Sequence, residues 1–220
     1  MLDVWLATAD TIAPHVLDEE EQARASRFLC PRAAATYRAA HTLARRVLSH
    51  YHREVAPSAW RFGTNTWGKP AVTGPLPAGF FNLSHSGDLV AIAVAESEVG
   101  VDVERVRPMA HLDDVARHVF HPNELRWLAR QPGTLPAFFR LWTLKEALLK
   151  AAGTGFSHPA KLLCWHDLDA PRPFAAFGGR AWTGATRAID EQAILSVVVP
   201  AGLGAERRRP RLLRPRTLQG

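Results

Sequence analysis

The chain has 220 residues, of which 47% are hydrophobic and 22% are charged, and its formal net charge is +6. This composition is typical of a globular protein with one large domain, or two small ones that share a core. Residues 206–220 contain six Arg and one Glu, which leaves a net charge of about +1 for residues 1–205. Because the basic charge is concentrated in this one stretch, the composition argues against a nucleic-acid partner.

The sequence has neither a basic leader followed by an apolar run nor a stretch of about 18 apolar residues. We therefore expect no signal peptide and no membrane partner. Cys30 and Cys164 lack C-x-x-C spacing, which predicts reduced thiols and a cytoplasmic protein. Residues 205–220, rich in Arg and Pro, are expected to be a disordered tail.

Alternating hydrophobicity and helix-cap residues predict the elements of the first half. In chain order these are a strand at 4–8, a helix at 18–29 with Asp18 as its N-cap, a helix from Pro31 to about Glu54, a strand and Gly/Pro turn at 59–70, and a polar turn at Ser84–Asp88 followed by a strand ending near residue 95.

The second half repeats the order of helix followed by paired strands. Its predicted elements are a strand at 100–104, a helix around 121–130, a helix at 135–152, and strands at 161–165, 174–178 and 193–199. The predicted fold class is α+β with antiparallel strands, and residues 98–106 form the predicted boundary between the halves.

A D-x-E pair lies within residues 98–106. In a strand, Asp102 and Glu104 face the same way, and two carboxylates on one face repel each other unless a cation lies between them. One interpretation is a solvated edge strand. The other is a site for Mg²⁺, which prefers carboxylate oxygens and keeps waters for phosphate ligands.

The helix at 135–152 carries a stripe formed by Trp142, Glu146 and Lys150 at i, i+4, i+8 spacing. A surface ion pair is one interpretation of Glu146 and Lys150. The Trp at the head of the stripe and the apolar residues around it favour a partly buried pair instead. In that setting the carboxylate can bind metal or act as a base, and the ammonium can neutralise phosphoryl charge.

Two further polar motifs are weaker signals. Residues 82–87, NLSHSG, offer Ser84, His85 and Ser86 in a predicted tight turn, which suits an anion or is only a structural turn. Lys69, between Gly and Pro, is compatible with a simple turn. His111, His118 and His121 lack zinc-ligand spacing and are interpreted as surface or capping residues.

These residues together match the requirements of metal-assisted phosphoryl transfer. Moreover, the motifs NLSHS, GVDVE and WTLKEALLKAAGTG, with WGKP upstream, resemble those of the Sfp-type 4′-phosphopantetheinyl transferases over roughly residues 1–200. The resemblance implies a pseudo-dimer of two similar α/β halves with antiparallel sheets, here 1–98 and 99–204. Coenzyme A would lie in the cleft between the halves.

The resemblance also implies roles for individual residues. Asp102, Glu104 and Glu146 match the acids that bind Mg²⁺, and Glu146 is also the expected base. Lys150 matches the lysine at the pyrophosphate. The residues matching coenzyme A contacts are Arg24, Lys69, Ser84 and His85. The role of Lys145 is left open.

The implied reaction is transfer of 4′-phosphopantetheine from coenzyme A to a serine of an apo acyl or peptidyl carrier protein. It would release adenosine 3′,5′-bisphosphate and serve polyketide, nonribosomal peptide or fatty acid synthesis, and a monomer would suffice. Two alternatives are another Mg²⁺-dependent transferase or pyrophosphohydrolase acting on nucleotides, and a non-catalytic coenzyme A or carrier-binding module.

Overall fold

Two mainly antiparallel sheets form the centre of the protein. The computed structural model describes residues 1–155, 160–202 and 210–214. The strands are β1 Leu2–Thr8, β2 Arg61–Thr64, β3 Pro70–Gly74, β4 Phe80–Ser86, β5 Leu89–Ala95, β6 Gly100–Arg105, β7 Trp165–His166, β8 Phe174–Phe177, β9 Arg180–Asp190, β10 Ala193–Pro200 and β11 Arg211–Leu213. The first sheet has the order β11-β1-β5-β4 and the second β6-β10-β9-β8-β7, while β2 and β3 pair as a hairpin.

The described residues form five α-helices beside the sheets: α1 Glu19–Ser26, α2 Pro31–Tyr51, α3 Leu112–Val119, α4 Pro122–Leu128 and α5 Thr134–Ala152. α1 begins at the predicted N-cap, because the Asp18 carboxylate accepts the Glu21 N–H and the Glu21 carboxylate accepts the Asp18 N–H. His121 caps α4 in the same way, as the capping interpretation expected. No described helix is both long and apolar enough to cross a membrane.

The two sheets pack face to face between two long helices. Alternate residues of each strand point to opposite faces, so each sheet contributes to two apolar clusters. One face of the first sheet contacts α2, with Trp5 and Ile92 in that cluster. The far face of the second sheet contacts α5. The third cluster lies between the sheets and includes Val4, Val101 and Leu195.

The two sheets share a connection order. β1 pairs with β5 and β6 with β10, and in each sheet that last strand also pairs with the strand before it, β4 or β9. In the chain, the long helix α2 lies between β1 and the pair β4–β5, and the long helix α5 lies between β6 and the pair β9–β10. The α+β class with antiparallel sheets is confirmed, whereas the boundary at residue 98 stays a prediction.

Three local predictions differ from the structure. Ser84–Asp88 is not a turn as a whole, because β4 continues through Ser86 and the turn is confined to residues 87–88. Residues 161–165 are not a strand as a whole: 161 and 162 end the 3₁₀ turn at Ala160–Leu162, 163 and 164 are irregular, and β7 begins only at Trp165.

The third difference concerns the tail. A disordered segment over the whole of 205–220 is wrong for Arg211–Leu213, which pairs in parallel with β1 as β11. The guanidinium of Arg211 binds both carboxylate oxygens of the buried Asp3, at 2.7 and 2.6 Å. This contact gives a basic strand of the tail a specific place on the first sheet.

Candidate active site

The candidate site lies where β4 of the first sheet meets β6 of the second. β6 is the edge strand of its sheet, and its outward N–H groups are bound by β4 side chains rather than by a backbone partner. The pairs are Val101 N with Asn82 Oδ1 at 2.8 Å, Val103 N with Ser84 Oγ at 3.3 Å, and Arg105 N with Ser86 Oγ at 3.1 Å. We call these three contacts the β4–β6 seam.

The position of α5 over this seam depends on a glycine. A Cβ atom added to Gly100 would lie 1.8 Å from the Ala147 carbonyl oxygen and 2.6 Å from the Ala151 nitrogen. Only a residue without a side chain therefore allows the helix backbone to approach β6 this closely. The approach brings Glu146 and Lys150 of α5 next to the acids of β6.

Lys150, Asp102 and Ser84 are in mutual contact. Lys150 Nζ lies 2.6 Å from Asp102 Oδ1 and 2.9 Å from Ser84 Oγ, and the Ser84 hydroxyl donates to the same Asp102 oxygen at 2.8 Å. The other Asp102 oxygen, Oδ2, is buried and has no hydrogen-bond partner among the residues described. A buried carboxylate oxygen without a partner is costly unless a ligand binds it.

Glu146 and Glu104 lie within electrostatic range of this contact. Burial, followed by the negative charges of Asp102 and Glu104, raises the pKa of Glu146 to about 7. Burial also raises the pKa of Glu104, and the charge of Asp102 acts in the same direction. The negative charges of the three acids therefore repel one another, and a bound cation would reduce this repulsion.

The donor set suits a hard divalent cation, because it consists of carboxylate oxygens and includes the unpartnered Oδ2 of Asp102. As placed, however, no three His, Cys, Asp or Glu side chains within the described ranges form a group that could hold a metal ion. Lys150, at one oxygen of Asp102, partly balances the negative charge in this arrangement.

Two of the three residues of the stripe predicted on α5, Glu146 and Lys150, lie beside the seam, whereas Trp142 stacks on Phe138 in the core around α5. Trp142, Glu146 and Lys150 are half-buried, whereas Leu141, Leu144, Leu148 and Ala151 on the other faces are buried in the core beside the second sheet. The interpretation of Glu146 and Lys150 as a partly buried set rather than an open surface pair is thus confirmed by their burial.

Lys145 belongs to the fold and not to the site. Its ammonium is buried, lies 2.8 Å from Glu124 Oε2, and donates to the carbonyls of Ala160 and Leu163 at 2.8 and 2.6 Å. The other Glu124 oxygen accepts the Trp165 N–H at 2.9 Å. Lys145 therefore ties α5 to α4 and to the chain leading into β7.

His85 lies within electrostatic range of Lys150 on α5, and Lys69 contacts the last turn of the same helix. His85 lies on β4 with an exposed side chain. Its pKa is lowered, first because neighbouring protein atoms partly exclude water from the ring, and then because of the positive charges of Lys150 and His41. Lys69 Nζ donates to the Ala151 carbonyl at 2.9 Å, and burial lowers its pKa to about 8. In this arrangement Lys69 binds the last turn of α5, and its contact with coenzyme A stays a prediction.

Arg24 lies on α1, over the ring of Tyr37 at 5.8 Å, and borders a surface pocket of about 500 Å³. Tyr37 packs against His41 with ring centroids 4.1 Å apart and ring planes inclined at 35°. His41 in turn influences His85. The rings of Tyr37 and His41 thus lie next to Arg24, and sequence reasoning missed both.

Arg45, another residue that sequence reasoning missed, fixes α1 to α2. Its fully buried guanidinium contacts Asp18 Oδ2 at 2.6 Å and Glu21 Oε2 at 2.8 Å. A charged residue on the otherwise apolar face of α2 was the signal that could have identified it. The seam role of Asn82 had a signal too, the N-x-S-x-S alternation in β4.

Comparison with known proteins gives the family. The model of the 4′-phosphopantetheinyl transferase superfamily matches residues 98–198. The 4′-phosphopantetheinyl transferase HetI of Nostoc sp. is 32% identical over 193 residues, which cover 86% of this chain and 80% of that protein. A 4′-phosphopantetheinyl transferase of Bacillus subtilis is 37% identical over 47% of this chain and 46% of its own length.

Two more matches are shorter or more distant. Sfp of Bacillus subtilis strain 168 is 33% identical over 53% of this chain and 51% of its own length. The holo-[acyl-carrier-protein] synthase structure from Neisseria meningitidis covers 47% of this chain and 96% of its own, with a TM-score of 0.37 and 18% identity. On the extent and identity of the HetI match, the resemblance found in the motifs is confirmed, and the chain belongs to the 4′-phosphopantetheinyl transferase family.

Proposed function

We propose that this transferase moves the 4′-phosphopantetheine group from coenzyme A to a serine hydroxyl of an apo acyl or peptidyl carrier protein, with Mg²⁺ as cofactor. The observation that carries the proposal is the contact of Lys150 with Asp102 and Ser84 beside Glu146 and Glu104. One cation and three acids in this arrangement offer both the positive charge and the base that phosphoryl transfer needs.

Asp102, Glu104 and Glu146 are the residues that would hold Mg²⁺. When bound, the ion would neutralise charge on phosphate oxygens. The unpartnered Oδ2 of Asp102 fits such a ligand. Because the three carboxylates do not form a closed ligand group as placed, binding would require Glu146, for which the described residues supply no hydrogen bond, to move toward Asp102 and Glu104.

The transfer itself would use two side chains of α5 beside the seam, Glu146 and Lys150. The carrier serine oxygen would bond to the β-phosphorus of coenzyme A as the bond from that phosphorus to the bridging oxygen breaks, releasing adenosine 3′,5′-bisphosphate. Glu146, whose pKa is raised to about 7 by burial, would accept the serine proton near neutral pH. Lys150 would leave Asp102 for the developing negative charge on the pyrophosphate.

The remaining polar residues would bind coenzyme A. Ser84 and His85 lie at the seam next to Lys150 and would contact the pyrophosphate. Arg24, on the pocket beside Tyr37, would bind a nucleotide phosphate, and Lys69 would do so only on releasing the Ala151 carbonyl. We further propose polyketide, nonribosomal peptide or fatty acid carriers as acceptors, with the protein acting as a cytoplasmic monomer.

One assay tests the function. The protein is incubated with coenzyme A, Mg²⁺ and an apo carrier protein, and the carrier is weighed by mass spectrometry. We expect a mass increase equal to one phosphopantetheine, lost when EDTA replaces Mg²⁺. Breakdown of coenzyme A without transfer would favour the pyrophosphohydrolase alternative, and binding without reaction would favour a binding module.

A further inference from the structure

Two serines of the β4–β6 seam repeat one pattern of contacts. Ser84 accepts the Val103 N–H and donates to the carboxylate of Asp102. Two residues along β4, Ser86 accepts the Arg105 N–H and lies 2.5 Å from Glu104 Oε2. Each serine thus binds both the carboxylate of one acid and the backbone N–H of the residue that follows it.

The direction of the Ser86 hydrogen bonds follows from counting protons. A hydroxyl has one proton to donate, and the Arg105 N–H already uses Ser86 Oγ as its acceptor. The hydroxyl proton is therefore available to Glu104 Oε2, which accepts it. This contact restricts a half-buried glutamate side chain that would otherwise sample several rotamers.

The contact also leaves one oxygen of each acid available. Ser84 and Lys150 share Oδ1 of Asp102, and Oδ2 has no partner among the described residues. At Glu104, Ser86 engages Oε2 and no other described residue engages Oε1. Both acids are thus held by one oxygen, with the second oxygen left to a ligand.

We propose that Ser86 is a positioning residue for the divalent cation: by holding Glu104 through Oε2, it prepares the carboxylate to bind the ion and sets the affinity of the site. The inference rests on the function proposed above, which assigns Glu104 to the cation. Partners that orient metal-binding carboxylates typically change metal affinity by about 10- to 100-fold when they are removed.

Among the three β4 residues of the seam, Ser86 is the one whose substitution tests the positioning role alone. Ser84 also contacts Lys150 and is an expected coenzyme A residue, so its replacement would alter several functions. Among the described residues, the Asn82 side chain accepts the Val101 N–H of β6 and makes no hydrogen bond to Asp102 or Glu104. Asn82→Ala is therefore the matched control for loosening the seam without releasing Glu104.

The test uses Mn²⁺ as the probe, because its electron paramagnetic resonance signal reports the free ion directly. Binding is titrated with and without coenzyme A for the wild type, Ser86→Ala, Ser86→Cys, Ser86→Thr and Asn82→Ala. We expect about 10-fold or greater weakening for Ala, a smaller weakening for the weak donor Cys, and recovery to within about threefold for Thr, which restores the hydroxyl.

Transfer kinetics supply a second measurement. Ser86→Ala is expected to raise the Mg²⁺ concentration for half-maximal rate by a similar factor, while kcat at saturating Mg²⁺ stays within about threefold of the wild type. Asn82→Ala is expected to lower the melting temperature while Mn²⁺ affinity changes by less than about threefold.

The outcomes distinguish the inference from the function beneath it. If the wild type binds Mn²⁺ and Ser86→Ala binds it equally well, the positioning role is wrong and the proposed function stands. Equal weakening in Asn82→Ala, or no recovery in Ser86→Thr, would reduce Ser86 to a structural contact. Absence of Mn²⁺ binding by the wild type in all conditions would overturn the metal part of the proposed function and the inference with it.

Discussion

Lys150 and Asp102 are in direct contact where the two sheets meet, with Nζ 2.6 Å from Oδ1. Lys150 comes from the last turn of α5 and Asp102 from the edge strand β6, and Ser84 of β4 touches both. The contact places a cation and a carboxylate from the second sheet's side against a polar strand of the first. The proposed chemistry depends on this junction, and so do the predictions below.

Glu146→Gln should stabilise the metal-free protein at high pH. The pKa of Glu146 is raised to about 7, above the ordinary 4.5, so folding favours its protonated form. The stability from this group is complete below pH 4.5 and lost as pH rises through 7, up to about 3 kcal/mol. Denaturant unfolding in EDTA should show the variant more stable than wild type at pH 8.5.

At about pH 3.5 the advantage of Glu146→Gln should disappear, because Glu146 is then protonated in both the folded and the unfolded protein. A stability difference that is the same at both pH values would show that Glu146 is not held in an unfavourable charged state. Addition of Mg²⁺ should stabilise the wild type more than the variant, since a bound ion removes the repulsion.

Lys145→Met should destabilise the fold strongly. It removes the ammonium that lies 2.8 Å from Glu124 Oε2 and leaves that carboxylate buried without a cation. Breaking one partner of a buried pair typically costs about 3–5 kcal/mol. The free energy of unfolding by urea measures the loss.

Lys150→Met is the matched control for Lys145→Met, because Lys150 is half-buried and lies on the same helix. It should change stability far less and lower transfer far more. The double variant Lys145→Met/Glu124→Gln should recover part of the lost stability. Equal losses for the two lysine variants would contradict the structural assignment of Lys145.

Gly100→Ala should push α5 away from β6. Its Cβ would lie 1.8 Å from a backbone oxygen of α5, which has no flexible end to move aside. We expect a lower melting temperature and weaker metal binding from the displaced Glu146. Gly74→Ala, whose Cβ would meet nothing within 4 Å, is the control and should leave both unchanged.

Arg211→Ala should lower the melting temperature by several degrees, because it leaves the buried Asp3 carboxylate without its cation. Arg180→Ala removes a comparable exposed arginine, but its partner Glu98 is not buried. Thermal unfolding of both variants separates the effects. A change no larger for Arg211 than for Arg180 would mean that β11 contributes little to the first sheet.

Local sequence patterns predicted the elements whose determinants are local. The capping box at Asp18, the start of α2 at Pro31 and the inward stripe of α5 all depend on residues within a few positions of one another. The strand bearing Asp102 and Glu104 was likewise predictable from alternation.

Other features depend on residues far apart in the chain. Ser86 was assigned to a turn because a polar stretch usually lies outside strands, yet its hydroxyl replaces the missing backbone neighbour of β6. Lys145 finds its carboxylate 21 positions earlier, and Arg211 binds Asp3 from 208 positions away. Such pairings follow from the packing of whole elements, which no local pattern contains.

The central claim is that the side chains at the β4–β6 seam, together with Glu146 and Lys150, perform the transfer. The initial rate of carrier modification by Asp102→Asn is its most direct test. The matched control is Asp190→Asn. Asp190 lies on β9, away from the three acids, and its carboxylate pairs with the guanidinium of Arg105. We predict that Asp102→Asn loses at least roughly 100-fold in rate with its circular dichroism unchanged, while Asp190→Asn stays near wild type. A folded Asp102→Asn variant with near-wild-type rate would contradict the account.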